Sequence, residues 1–317
     1  SGLVRPGGEE MRLPDSARHY AIGGITIRVE SDLPITDSTF HEKFRSFRVA
    51  EPGSDVVVLR HHFGVPSPLP GLDGSADAKE VYRKPPWAIY RTDRSWVYLG
   101  IAPEIDDPRL HQVAVFDLDH GLGNIYSNDV YRDVWLRGGL TSLTMFPSDQ
   151  IWVVRLLADR EGCFLHSGAL TIDGQGLVFV GHSEAGKSTT MGLVRSGLGD
   201  RSEVLCDDRN IVRWWPDGFR VHGTWSHGDI PDVSSASAPL RAILFLEQSR
   251  QNEIVHLVDK KETWQRLLAT LIKPLVTAEW WKKEMDVLER IVAEVPCYTM
   301  RFDRSGAIVQ ELERFAR

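Results

Sequence analysis

The run GHSEAGKSTT, residues 181–190, follows the apolar stretch LVFV and leads into MGLVRSGL. No other feature of the chain constrains its fold as tightly. Gly, four residues, then Gly-Lys-Ser is the spacing of a loop whose backbone N–H groups wrap around a phosphate. Such a loop works only between a strand and a helix, where successive amides and a helix N-terminus converge on one anion. The flanks supply that context: residues 177–180 read as a strand, residues 187–196 as a helix, and Asp173-Gly174-Gln175-Gly176 as a turn after the strand in FLHSGALTI. The candidate nucleotide-binding residues are therefore Gly181, His182, Ser183, Glu184, Ala185, Gly186, Lys187, Ser188 and Thr189. Gly181 and Gly186 permit the tight loop, Lys187 reaches the terminal phosphates, and the Ser188 hydroxyl is offered to Mg²⁺. The competing reading is a glycine-rich turn that binds nothing. The agreement of loop, lysine, serine and flanking elements weighs against it.

An acidic partner is expected close by, and EVLCDDRNIVRW, residues 203–214, provides one. Asp207 and Asp208 end a short apolar strand, twenty residues beyond Lys187. Adjacent side chains on extended backbone point to opposite faces, so one carboxylate can meet a metal while the other meets an acceptor hydroxyl. A solvated turn is the plain alternative for such a pair.

Composition excludes several classes of function. With 37 Lys and Arg against 44 Asp and Glu, the net charge of −7 offers no general basic field for nucleic acid or anionic lipid. Cys163, Cys206 and Cys297 are too scattered for a disulfide framework or a paired-ligand zinc site, and read as reduced thiols of a cytoplasmic protein. No apolar run is long enough to span a bilayer, and SGLVRPGGEE lacks the apolar segment of a signal peptide, so no membrane partner is expected.

The chain divides near residue 150. Before it, GGITIRVE, DVVVLRHHF, WAIYRTDRSWVYLGI and QVAVFDLD are short, β-branched or aromatic runs that read as strands, and GVPSPLPGLDGSADA reads as an exposed loop. LRGGLTSLTMF and SDQIWVVRLLADREG, residues 136–146 and 148–162, carry apolar residues at helical spacing, with Ser148 and Asp149 placed to cap the second helix. The expected organisation is an α/β chain: a β-rich N-terminal domain over 1–135, a helical connection over 136–162 and a nucleotide-binding domain over 163–317. Residues 260–276 and 279–295 show helical periodicity, CYTMRF reads as a last strand and GAIVQELERFAR as a terminal helix. The pairs Trp214-Trp215 and Trp280-Trp281 are read as a strand continuation and as core and rim of a helix.

LHSGALTIDGQGLVFVGHSEAGKSTTMGLVRSGLGDRSEVLCDD, about forty residues, resembles the catalytic core of the HPr kinase/phosphorylase family. That family shares its P-loop nucleotide-binding architecture with phosphoenolpyruvate carboxykinases. HGTWSHGDI and APLRAILFLEQS extend the resemblance more weakly, the first without the proline of the family's Gly-Thr-Pro-Trp segment. The resemblance implies ATP- and Mg²⁺-dependent phosphoryl transfer to a hydroxyl, most simply a serine of a small protein or peptide. By the same carry-over His166 is an active-site histidine near the phosphates, Lys187 the catalytic lysine of the loop and Ser188 a metal ligand. Asp207 is then the general base and Asp208 its neighbour nearer the metal. His222 and His227 either line the acceptor site or cap turns. The family's assembly through a segment beyond the core leaves a homo-oligomer open.

Departures limit the carry-over. Glu184-Ala185 stands where the bifunctional enzymes carry a glycine-containing arrangement, and their signature for the reverse reaction is not found, so reversal is not implied. The first 150 residues are more similar to the β-rich front half of HPr-kinase-related proteins found beside peptide-modifying genes, including kinases of lasso peptide precursors. Two alternatives are a kinase of a small molecule such as free serine and a nucleotide-sensing module without catalysis. The second, unliganded carboxylate of the Asp pair favours transfer over sensing.

Overall fold

The computed structural model describes residues 17–72, 77–100, 111–182, 185–273 and 276–317. It is a mixed α/β protein with two large sheets. Ser183 and Glu184 of the glycine-rich loop lie outside the described residues, as does the N-terminal run 1–16.

Among the described residues, nine strands form the first sheet: β1 (Ala17–Ile22), β2 (Ile25–Ser31), β3 (Arg48–Val49), β4 (Val56–Phe63), β5 (Lys79–Lys84), β6 (Trp87–Arg91), β7 (Trp96–Gly100), β8 (Gln112–Phe116) and β9 (Leu122–Ser127). Their order is β3-β1-β2-β4-β9-β8-β7-β6-β5. Tight connections make most neighbours antiparallel, but β4 lies parallel to both β2 and β9. A six-residue 3₁₀ helix, Glu42–Phe47, precedes β3 and turns Phe44 and Phe47 inward.

Two helices follow, α1 (Asp129–Arg137) and α2 (Gln150–Ala158). The helix expected over 136–146 is not there. Gly138 and Gly139 adopt φ of 78° and 71°, backbone that ends α1, and the next residues run as irregular chain. Leu143, Met145 and Phe146 are apolar because the irregular segment is buried. Nor does Asp149 cap α2 with its side chain. Its carboxylate turns back to accept from the Leu143 and Thr144 amides, 2.9 Å each, and the Thr144 hydroxyl.

The second sheet holds β10 (Gly162–His166), β11 (Gly168–Ile172), β12 (Gln175–Val180), β13 (Ser202–Cys206), β14 (Arg209–Trp215), β15 (Gly218–His222), β16 (Ser237–Gln248), β17 (Glu253–His256) and β18 (Cys297–Phe302). Its main path is β10-β14-β15-β16-β12-β11-β13. The long β16 borders β15 with its first residues and β18 with its last. Along β12, Leu177 and Phe179 face one layer and Val178 and Val180 the other, so both faces are apolar and both are covered. Helices α3 (Lys187–Leu198) and α6 (Ile308–Ala316) pack on the first face, α4 (Lys260–Thr270) and α5 (Ala278–Glu294) on the second. In α5 the buried positions 280, 284, 287, 288, 291 and 292 trace one stripe at helical spacing.

Strands β12, β16 and β18 run parallel. Their carboxyl ends, Val180, Gln248 and Phe302, therefore open at one edge, where the loops that follow converge into a crevice. The two sheets share a core: Phe164, Ile211, Trp225 and Trp280 pack in the cluster that holds Phe44, Phe47 and Trp96. Arg160 adds a two-pronged pair to Asp55, at 2.7 and 3.0 Å.

Candidate functional site

The loop after β12 is shaped by its two glycines. Gly186, with φ of 95°, sits in left-handed backbone at the start of α3, and a Cβ there would meet the Phe302 ring at 2.9 Å. A Cβ on Gly181 would meet that of Ala185 at 2.5 Å. Larger residues would force the loop open. Among the described residues no side chain caps the amides at the start of α3, which leaves them available to an outside acceptor. Lys187, only 8% exposed, folds its Nζ back onto the Gly181 carbonyl at 2.8 Å. Burial draws its pKa below the ordinary lysine value, and Asp208 and Asp207 offset part of that.

Ser188 donates its hydroxyl to Asp207 Oδ2 at 2.9 Å. The same oxygen accepts the Ile230 amide at 2.9 Å, and Oδ1 accepts the Gly228 amide. Asp207 is 3% exposed. Its carboxylate thus joins three pieces of chain: the end of β13, the first turn of α3 and the loop over 226–230. Asp208 faces elsewhere. Its Oδ1 meets His166 Nε2 at 2.9 Å and its Oδ2 meets Arg209 at 2.8 Å. Burial raises the Asp208 pKa, but the His166 hydrogen bond and the cations of Arg209 and Lys187 outweigh it and hold the carboxyl below its usual range. His166 is 39% exposed at its side chain, so this pair fronts solvent.

Buried polar bonds lock the pair in place. The Ser167 amide donates to the Asp208 carbonyl at 2.9 Å, and Asn210 donates to the Ser167 carbonyl at 2.8 Å and the Cys206 carbonyl at 3.0 Å. The end of β10 is thereby held to the β13–β14 turn, which brings His166 to Asp208. Asn210 is a site residue that sequence reasoning missed, since no motif marks a lone Asn that bonds only backbone and a neighbouring hydroxyl. The Gly228 and Ile230 amides were equally hidden, although HGTWSHGDI had drawn notice.

Of the two further histidines, His227 lies in the loop that holds Asp207, its Nδ1 donating to the Gly228 carbonyl at 2.9 Å. His222 is buried, accepts from Trp215 Nε1 at 3.0 Å, and has its pKa pulled down to about 4 by burial. It belongs to the wall of β14 and β15. Among the described residues no group of three or more His, Cys, Asp or Glu side chains could hold a metal alone. Ser188 and Asp207 together offer hard oxygen donors, the set that suits Mg²⁺ bound by one or two protein groups plus substrate phosphates.

Beside the loop opens a cavity of about 1090 Å³, walled by residues 185–189, the end of β16 and the face of α4 that carries Arg266, Ala269 and Thr270. Among the described residues no helix is long and apolar enough to cross a membrane.

No curated protein matches the chain. Among solved structures, the HPr(Ser) kinase/phosphatase from Coxiella burnetii is similar at 11% identity and a TM-score of 0.29, over 49% of this chain and 88% of that one. A likeness that slight carries no argument. The family described as SynChlorMet cassette protein ScmC matches residues 141–317, which take in α2 and the whole second sheet with its loops. The chain belongs to the SynChlorMet cassette protein ScmC family.

Proposed function

We propose that this protein is an ATP- and Mg²⁺-dependent kinase that transfers the γ-phosphoryl group to a hydroxyl, with a serine of a small protein or peptide as acceptor. The observation that carries the reading is the 2.9 Å bond from Ser188 to Asp207 at the uncapped start of α3, with a second carboxylate, Asp208, turned to solvent beside it. A serine of this loop paired with a strand-end aspartate is the arrangement that holds a nucleotide-bound Mg²⁺ in phosphate-loop enzymes. The 1090 Å³ cavity beside it has room for a nucleotide.

The geometry supports an exchange of the roles expected for the two aspartates. Asp207 already accepts three hydrogen bonds and is buried, so it has little capacity to take a proton from a substrate. It serves better as the partner of the metal-side serine. Asp208, partly exposed and aligned by His166, is the better general base. In the proposed step the loop amides and Lys187 hold the phosphates, with Lys187 leaving the Gly181 carbonyl. The acceptor oxygen bonds to the γ-phosphorus as the bond to the β–γ bridging oxygen breaks, ADP departs, and the hydroxyl proton passes to Asp208. Mg²⁺, when bound through Ser188 and Asp207, supplies neutralisation of phosphate charge.

The test is mass spectrometry after incubation with Mg²⁺-ATP and a panel of acceptors that includes serine-bearing peptides and free serine. One added phosphate on an acceptor, lost with Lys187→Ala, is the expected outcome. Asp208→Asn should slow transfer about 10²- to 10⁴-fold while nucleotide affinity stays within a few-fold. Full activity of that variant would remove Asp208 as base. Tight nucleotide binding without transfer to any acceptor would favour a nucleotide sensor, a reading supported by the packing of the 3₁₀ helix on Trp225, close in sequence to the Asp207-holding loop.

A further inference from the structure

The cavity beside the 181–188 loop has a third side that no motif announced. Strand β18 ends at Phe302, whose ring lies 2.9 Å from where a Cβ on Gly186 would sit. The turn that follows is anchored: the Asp303 amide donates to Asn252 at 3.2 Å, the Ser305 amide to Asp303 Oδ1 at 2.9 Å, and the Ala307 amide to Ser305 Oγ at 3.2 Å. Arg304 projects from this turn and lines the cavity together with Lys187 and Ser188. Among the described residues its guanidinium has no hydrogen bond and no ion pair.

That lack of partners is unusual among the cations of this cavity. Arg266, on the opposite wall, is committed to Glu262 at 2.8 Å and Glu247 at 3.4 Å. Arg301, on β18 but outside the cavity lining, is committed to Glu253 and Glu247. Lys187 and Arg304 are left as cations of the wall without a carboxylate bond, and they reach the crevice from two of the three parallel strand ends that form it. Two unpaired cations converging on uncapped helix amides form a site for a polyanion. A guanidinium adds forked donors that fit phosphate oxygens.

We infer that Arg304 is a second phosphate-binding cation, engaging the nucleotide's phosphate chain from the β18 side while Lys187 engages it from the loop side. The inference rests on the nucleotide reading above and assigns to it a residue from the far end of the chain. The wall over α4, where Ala269 and Thr270 present small side chains, then faces the nucleoside.

Calorimetric titration of the full chain with Mg²⁺-ATP tests the assignment. Arg304→Ala should weaken binding about tenfold or more, the loss expected of a charge-assisted contact. Arg304→Lys should retain part of the affinity and Arg304→Glu should lose more than the alanine variant. A structural role would not follow that order of charge, and unchanged melting temperatures are expected because the side chain pairs with nothing among the described residues. Wild-type affinity in all three variants, alongside lost binding in Lys187→Ala, would overturn the role of Arg304 and leave the nucleotide reading intact. Failure of the unmodified protein to bind Mg²⁺-ATP would overturn both.

Discussion

The Trp225 indole nitrogen donates to the buried Asp149 carboxylate at 3.0 Å, and that bond crosses from the second sheet to the segment that leaves the first. The same indole packs on Phe44 and Phe47 with ring centroids 5.0 and 5.1 Å away. Three residues on, the Gly228 amide holds Asp207. The first sheet is thus coupled by contact to the loop that positions the carboxylate. Trp225→Phe keeps most of the ring but removes the donor, leaving Asp149 short of one partner in the interior. The expected cost is about 1–3 kcal/mol of stability, together with weaker Mg²⁺-nucleotide binding. A melt and a nucleotide titration of the variant measure both. A wild-type melting temperature would mean that this bond does not hold the loop.

Gly186 tests the loop geometry. An alanine there must adopt φ near 95° and place a methyl 2.9 Å from the Phe302 ring. Backbone strain of that kind costs about 1–3 kcal/mol, and relief by opening the loop would spoil the amide cradle. Gly186→Ala should therefore melt lower and bind Mg²⁺-ATP poorly. Wild-type binding would show that the cradle does not depend on this conformation.

His166 should set the pH response of the proposed base. Asp208 has its pKa lowered because the His166 hydrogen bond and neighbouring cations overcome burial. A depressed carboxyl pKa contributes stability that is present above the unfolded value and lost as pH falls through the folded one. It also keeps the base ionised into mildly acidic solution. His166→Ala removes one of the groups that oppose burial, so the acidic limb of the kcat profile should move to higher pH. An unmoved limb with lower kcat would assign His166 another task.

Glu284 offers a prediction about stability alone. It is fully buried in the apolar stripe of α5, and among the described residues neither carboxyl oxygen has a hydrogen-bond partner. Burial pushes its pKa well above the usual carboxyl range, which favours the protonated form in the folded protein. A raised folded pKa contributes stability that is complete below the unfolded value and declines as pH rises toward the folded one, by at most about 1.4 kcal/mol per pH unit. Glu284→Gln cannot ionise. Its stability relative to the unmodified protein should grow as pH rises from about 5 to 8, read from melting curves at several pH values. A difference independent of pH would contradict a protonated Glu284.

How much of this was legible from residues alone depends on the range over which each signal acts. The stretch from β11 through α3 was readable because its determinants are local: Asp173 and Gly174 carry the positive φ of a two-residue turn, a continuous apolar run marks β12, and Lys187 opens a helix. The last strand and the C-terminal helix were readable for the same reason. Residues 138–149 misled, since apolar spacing alone does not separate a helix from a buried irregular segment that begins at two glycines of positive φ.

The sequence by itself determined the order of elements from β11 through β13, the glycine-lysine loop and the presence of two adjacent carboxylates near it. Tertiary structure decided which carboxylate is buried and which is partly exposed. Asp207 and Asp208 are the same residue type one position apart, and the folded loop over 226–230, whose amides meet Asp207, distinguishes a buried carboxylate from a partly exposed one. Long-range packing likewise brought Arg304, over a hundred residues beyond Lys187, to the same cavity, because parallel pairing sets the carboxyl ends of β12, β16 and β18 side by side. Backbone preferences act within a few residues and leave marks in sequence. Strand pairing and burial join distant positions, and leave no mark at either one.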